Sequence, residues 1–121
     1  MRSSAIALAA SLAASLNLEG YRVARAADGA SGLGTAATVH PDVVLVDLKT
    51  PVLDGWAVLE RLRQGSETGH IPVFAFTDAP SQDEHNRALD AGFATYLQAV
   101  DRESVSVELQ RHVKVNRSDR K

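Results

Sequence analysis

The stretch HPDVVLVDLKTPVLDG, residues 40–55, decides the fold that this sequence predicts. It contains an unbroken β-branched and leucine run from Val43 to Val46, then a carboxylate at Asp47, then a loop with Pro51 and an Asp-Gly pair. A continuous apolar run of this length is typical of a strand buried on both faces of a parallel sheet. We therefore expect Asp47 at the carboxyl end of such a strand, where α/β proteins gather their functional groups.

Strands and helices alternate on both sides of this stretch. β-branched and aromatic runs bounded by turn residues predict further strands at 21–26, 71–76 and 93–98. Apolar residues at helical spacing predict helices at about 30–39, 56–63, 80–91 and 101–113. Such alternation is typical of right-handed βαβ units, so the fold class is predicted to be α/β with a doubly wound parallel sheet. This arrangement also places Thr77 at the carboxyl end of another strand.

The first twenty residues do not continue this alternation. Leu8, Leu12 and Leu16 recur every four residues in an alanine-rich segment, which predicts an amphipathic helix ending near Gly20. The segment also has the outline of a secretory signal peptide, but its unbroken passage into a helix end favours the helix. It is too short to span a bilayer. We therefore expect a cytoplasmic protein that does not bind membranes.

The composition limits the function classes. The chain has 121 residues with 13 Lys+Arg against 15 Asp+Glu and no cysteine. This balance argues against a nucleic-acid binder, and the lack of cysteine excludes thiolate zinc sites and a cysteine nucleophile. The length predicts one domain, residues 1–115, followed by a basic flexible tail, residues 116–121.

A glycine-rich segment offers an enzyme-class alternative. GASGLG, residues 29–34, follows a predicted strand and opens a predicted helix, as does the turn that binds a dinucleotide pyrophosphate. Its glycine spacing differs from that turn by one residue, and little chain remains for a substrate domain. A dinucleotide-binding fragment is therefore the remote alternative.

Over residues 4–113 the chain resembles a response-regulator receiver domain. The resemblance rests on GYRVARAADG (20–29), on residues 40–55 quoted above, and on IPVFAFT with ALDAGFATYL (71–77 and 88–97). It implies a flavodoxin-like sheet of order 2-1-3-4-5 and a role in a two-component phosphorelay, not an enzyme. In that role Asp47 accepts a phosphoryl group from a histidine kinase or phosphotransfer protein. A downstream protein then binds the face made by helix 80–91, the last strand and the final helix.

The resemblance also assigns roles at the site. Thr77 corresponds to the switch hydroxyl and Tyr96 to the switch aromatic, and Mg²⁺ is the implied cofactor with Asp47 as a ligand. The family's spacing, counted back from Gly20, places Ser3 and Ser4 at the positions of the family's metal-binding acidic pair. Two metal-binding carboxylates are then missing, so Mg²⁺ binding is expected to be weak.

Other departures concern the charges around Asp47. The Lys-Pro that follows the family's last strand falls on Ala99-Val100, and the residue after Thr77 is the acidic Asp78. Lys49 is a candidate substitute cation, or a partner of Asp78, although a solvent-facing loop lysine is the simpler interpretation. A phosphorylation-independent pseudo-receiver that acts as a docking module is therefore the main alternative.

The same spacing leaves only Met1 and Arg2 where the first strand should be. The first strand is therefore predicted to be missing or rudimentary, either because the true start lies upstream or because the protein is built this way. Without an interior strand, Tyr21 to Ala26 would lack a neighbour and strand edges would be exposed. A strand from a second copy would repair this, which predicts a homo-oligomer.

Overall fold

The structure is a computed structural model that describes residues 3–8, 21–26, 28–49, 52–98 and 102–112. Within these residues the chain forms five strands and four helices. The strands are β1 (Ser3–Leu8), β2 (Tyr21–Ala26), β3 (Val43–Asp47), β4 (Val73–Thr77) and β5 (Thr95–Gln98). The helices are α1 (Gly29–Val39), α2 (Gly55–Gln64), α3 (Gln82–Ala91) and α4 (Arg102–His112).

The five strands form one parallel sheet of order β2-β1-β3-β4-β5. This confirms the predicted α/β fold and its 2-1-3-4-5 order. Register pairs Asp47 with Phe76, and the Leu48 N–H donates to the Phe76 carbonyl at 2.9 Å. The carboxyl ends of β3 and β4 therefore lie side by side.

The prediction of a missing first strand is wrong. Residues 3–8 form β1, which pairs with β2 on one side and β3 on the other. Alanine has the highest helix propensity, but such propensities differ by less than about 1 kcal/mol per residue, and two flanking strands that need a partner outweigh them. Leu8 is the last residue of β1, so the helix predicted from its repeat with Leu12 and Leu16 does not include it. The remainder of the predicted first helix, residues 9–20, lies outside the described residues.

Filling this interior position removes the reason for expecting a homo-oligomer. β1 supplies neighbours to both β2 and β3 from within the same chain. No strand from a second copy is needed to complete this part of the sheet.

The core lies on both faces of the sheet, as the unbroken apolar run in β3 predicted. Val44 and Val46 pack on one face with residues of α1, α2 and α3, whereas Val43 and Leu45 pack on the other with α4. Alternate residues of a strand point to opposite faces, so only a strand covered on both sides buries such a run. All four residues are at most 1% exposed.

The helix ends follow local capping rules. The side chains of Asp28, Asp54 and Ser81 accept N–H groups in the first turns of α1, α2 and α3. Gly92 ends α3 with φ 115°, the left-handed conformation that glycine adopts without strain. This confirms Gly92 as the predicted end of that helix.

Two further predictions lie outside the described residues. The proposed tail, residues 116–121, and the positions Ala99-Val100 are not among them.

None of the helices in the described part of the chain combines the length and the apolar character that crossing a bilayer requires.

Candidate functional site

The candidate site lies at the carboxyl ends of β3 and β4. Asp47 is the last residue of β3 and is half-buried, and Thr77 is the last residue of β4 and is 4% exposed. The sequence placed both residues at strand ends. The parallel register of the strands brings them to one edge of the sheet.

The Asp47 side chain is oriented by the loop that follows it. Its Oδ1 accepts the backbone N–H of Lys49 at 2.7 Å. This is the aspartate turn in which a short side chain substitutes for a backbone carbonyl. The carboxylate is therefore held at the sheet edge by its own loop and is accessible from solvent.

The loop that follows Asp47 ends where the backbone of Gly55 approaches the backbone of Leu48. The Gly55 N–H donates to the Leu48 carbonyl at 3.1 Å, which brings the start of α2 back to the end of β3. A Cβ on Gly55 would lie 2.9 Å from Leu48 Cα and 3.1 Å from the Asp47 carbonyl oxygen. Only glycine fits there without displacing the Asp47 backbone. The sequence indicated a turn at Asp54-Gly55 but not this contact.

Between these points, Val52 holds a strained conformation. Its φ is 72°, in the left-handed region, and its side chain is 75% exposed. A β-branched residue adopts this region only at a cost in free energy, and such residues cluster at functional loops. The loop beside Asp47 is thus strained as well as tightly closed.

Tyr96 connects β5 to the start of α3. Its hydroxyl donates to Glu84 Oε1 at 2.7 Å and accepts the Ser81 N–H at 3.2 Å. The ring stacks on His85 with centroids 5.0 Å apart and is 9% exposed. Tyr96 therefore fixes the N-terminal turn of α3 to the sheet.

Thr77 is linked both to the backbone and to this tyrosine. Its Oγ1 accepts the Ala79 N–H at 3.1 Å, which is the local role expected of a threonine at a strand end. Burial, then the hydrogen bond to Glu84, raises the pKa of Tyr96, and hydrogen bonds from Ser81 and Thr77 oppose that rise. The two residues that the sequence singled out separately therefore lie near enough for Thr77 to influence the pKa of Tyr96.

Lys49 and Asp78 face each other across the site. Lys49 Nζ lies 3.9 Å from Asp78 Oδ1, and the two side chains are 71% and 87% exposed. The sequence raised this pairing as one of three alternatives, the others being a substitute cation at the site and a solvent-facing loop lysine. An exposed pair at this distance is weak because water competes for both charges.

The described residues offer little to a metal ion. They hold no group of three or more His, Asp or Glu side chains that could enclose one. Assigning Ser3 and Ser4 to an acidic pair beside Asp47 is wrong, because they begin β1 and pair with the first residues of β2. The end of β1 near Asp47 is Leu8, which pairs with Val46. The count back from Gly20 put the end of the first strand at Arg2, whereas β1 extends to Leu8, so the pair was placed too early in the chain.

The glycine-rich alternative does not form a phosphate cradle. Gly29 is buried, and a Cβ there would collide with the Leu53 carbonyl oxygen. Asp28 Oδ1 accepts the Ser31 N–H at 2.8 Å, so a carboxylate of the chain occupies the N-terminus of α1. A pyrophosphate would meet both an obstructed backbone and a like charge.

Comparison with known proteins agrees with the resemblance described from the sequence. The sequence model of the response regulator receiver domain matches residues 5–104. The chain is 38% identical over 85 residues to the DNA-binding dual master transcriptional regulator RpaA of Synechocystis sp.. That match covers 69% of this chain and 35% of RpaA, so the chain spans about a third of that relative's length.

Solved structures share the fold. CheY4, a chemotaxis response regulator of Vibrio cholerae, superposes with a TM-score of 0.80 at 23% identity, covering 93% of this chain and 100% of that one. The receiver domain of the sensor histidine kinase PA1611 from Pseudomonas aeruginosa is 29% identical with a TM-score of 0.76, covering 91% and 97%. That structure has a magnesium ion coordinated in its active site cleft.

Proposed function

This chain belongs to the response regulator receiver domain family of two-component signalling, and from that premise we propose that Asp47 is its phosphoacceptor. The donor is the phosphohistidine of a histidine kinase or phosphotransfer protein. The observation that carries the proposal is the position of Asp47: a half-buried carboxylate at the end of β3, oriented by the Lys49 N–H, beside Thr77 at the end of β4.

The transfer is a simple displacement at phosphorus. A carboxylate oxygen of Asp47 attacks the phosphoryl group, an O–P bond forms, and the donor's P–N bond breaks with its electron pair left on the imidazole. Such a reaction depends mainly on positioning and charge, so the main task of the protein is to hold the acceptor in place. Asp47 is only partly buried, so a donor can approach it from solvent.

Thr77 and Tyr96 connect phosphorylation of Asp47 to the position of α3. A phosphoryl group brings strong acceptor oxygens and about −1.5 to −2 charge to the sheet edge. The Thr77 hydroxyl then turns to a phosphoryl oxygen, and its influence on the nearby Tyr96 hydroxyl changes. Because Tyr96 binds Ser81 and Glu84, the N-terminal turn of α3 responds to this change. A local charge change is thereby transmitted to a helix on the surface.

Mg²⁺ belongs to this proposal as a weakly held cofactor. Asp47 is the carboxylate that would hold it, with water and phosphoryl oxygens as the other ligands, an arrangement that Mg²⁺ accepts. When bound, it would neutralise charge on the phosphoryl group.

The outgoing signal is proposed to leave through the face formed by α3, β5 and α4. β5 is the last strand of the sheet as described, and Tyr96 joins it to α3. Leu89 on α3 and Val107 on α4 are exposed by 46% and 48%. A downstream protein bound there would sense the position of α3 directly.

The test is intact-mass spectrometry after incubation with acetyl phosphate and Mg²⁺. The wild-type chain is expected to gain one phosphoryl group that hydroxylamine removes, as it does from acyl phosphates. Asp47→Asn is expected to gain none. Asp83→Asn, which neutralises an exposed carboxylate on α3, serves as the control and is expected to behave as wild type.

The competing interpretation is a docking module that works without phosphate. It requires that a folded wild-type chain show no adduct with acetyl phosphate or with a phosphorylated kinase domain. That outcome would overturn the assignment of Asp47. An adduct that persists in Asp47→Asn would overturn it equally, because the phosphoryl group would then lie elsewhere.

A further inference from the structure

The Lys49–Asp78 ion pair joins the two loops that border the candidate site. Lys49 follows Asp47 by two residues, and Asp78 directly follows Thr77. The Lys49 N–H is bound to Asp47 Oδ1, whereas its ammonium group lies near Asp78. Lys49 therefore contacts Asp47 through its backbone and Asp78 through its side chain.

The charges of these loops are unbalanced. Among the described residues between β3 and α2 and between β4 and α3, Lys49 is the only cation, and Asp54 and Asp78 are the anions. Asp54 caps α2 through the Ala57 N–H. A phosphoryl group on Asp47 would add about −1.5 to −2 charge beside Asp78. Within the described residues of these two loops, Lys49 alone carries the positive charge that could compensate for it.

We propose that Lys49 changes partners when Asp47 is phosphorylated. Its ammonium group leaves Asp78 and binds the phosphoryl group instead. This inference rests on the proposed function. The existing pair is easily abandoned, since it is long and exposed on both sides. The lysine stem is flexible, and its backbone is already held against the Asp47 side chain, so the move needs only side-chain rotation.

This exchange gives Asp78 a definite role. In the unphosphorylated chain it holds Lys49 away from Asp47, and after transfer it repels the phosphoryl group. Asp78 thus slows phosphorylation in two ways, and only the first depends on Lys49. That difference makes the exchange separable from simple repulsion.

The experiment is a double-mutant cycle on the initial rate of phosphoryl incorporation from acetyl phosphate in Mg²⁺. The variants are Asp78→Asn, Lys49→Gln and the two together, with Lys49→Arg as the conservative replacement. Asp83→Asn and Arg87→Gln are the matched controls, because they make the same charge changes in an exposed pair on α3. Each variant is first checked for cooperative unfolding.

Partner exchange predicts coupling between the two substitutions. Asp78→Asn should speed incorporation in the wild-type background by about two- to fivefold more than in the Lys49→Gln background, since only the former releases a bound cation. Lys49→Gln should slow incorporation, and Lys49→Arg should retain most of the rate. A lysine that stays in place would give equal gains in both backgrounds, which would overturn the inference.

Failure of the inference differs from failure of the proposed function. If wild type is phosphorylated on Asp47 but Lys49→Gln matches Arg87→Gln, the partner exchange is overturned while the function stands. If wild type takes no phosphoryl group, both are overturned together.

Discussion

Replacing Gly55 with alanine tests how tightly the loop beside Asp47 is closed. The added Cβ would lie 2.9 Å from Leu48 Cα and 3.2 Å from Leu48 Cδ2, and the first of these atoms belongs to the backbone. Backbone cannot move aside as a side chain does, so the start of α2 must shift away from β3. We expect Gly55→Ala to lower the free energy of unfolding by about 1–2 kcal/mol, within the usual cost of overpacking.

Gly34 in the middle of α1 provides the matched control. A Cβ there meets nothing within 4 Å. Gly34→Ala should therefore raise the free energy of unfolding by about 0.5–1 kcal/mol, the ordinary gain in helix propensity. The same chemical change is expected to have opposite signs at the two positions, and only the surroundings differ.

Urea denaturation measures both effects, with thermal unfolding as a second probe. For a domain of this size, 1 kcal/mol corresponds to a change in Tm of about 4 °C. Gly55→Ala should also slow phosphoryl incorporation, because the shift moves the Asp47 backbone, whereas Gly34→Ala should leave it unchanged. A Gly55→Ala variant as stable as Gly34→Ala would refute the close approach of α2 to Leu48.

The remaining predictions concern Val52 and Tyr96. Val52→Gly should raise the free energy of unfolding by about 1 kcal/mol in urea, because relief of the positive φ exceeds the entropy that glycine adds to the unfolded chain; a loss of stability would show that the loop is not strained there. Burial and the Glu84 contact raise the pKa of Tyr96 above its ordinary 10.0. The unfolded chain therefore loses the Tyr96 hydroxyl proton at a lower pH than the folded chain does. The contribution of Tyr96 to the free energy of unfolding should then fall as pH rises above 10. Tyr96→Phe should flatten this alkaline decline, and an unchanged slope would contradict the network.

The strand ends could be predicted from sequence because they depend on local pattern. The unbroken run before Asp47 forced a strand buried on both faces, and the similar run before Thr77 set a second beside it. Parallel strands then bring both residues to one edge. Gly92 was predictable for a similar reason, since a helix that ends in the left-handed conformation favours glycine.

The first strand could not be predicted from its own residues. Residues 3–8 are mostly alanine, serine and leucine, which suit a helix as well as a strand. The deciding term is the pairing offered by β2 and β3, which are distant in sequence. A helical repeat through Leu8 therefore gave the wrong element for residues 3–8, and a separate count of the family's spacing back from Gly20 misplaced Ser3 and Ser4.

The tertiary contacts of the candidate site residues could not be predicted from the sequence either. Tyr96 was singled out by resemblance, yet its bonds to Ser81 and Glu84 depend on how α3 lies against β5. The approach of Gly55 to Leu48 depends in the same way on the path of a loop. Patterns identify residue types at element ends, but tertiary packing decides their partners.

The most direct test of the phosphoacceptor assignment is to locate the acyl phosphate chemically. The chain is phosphorylated with acetyl phosphate, reduced with borohydride, which converts an aspartyl phosphate to homoserine, and mapped by peptide mass spectrometry. We expect homoserine at position 47 and nowhere else, and none when the phosphoryl donor is omitted. Homoserine at Asp54 or Asp78, or at no position in a folded chain that was exposed to the donor, would contradict the account.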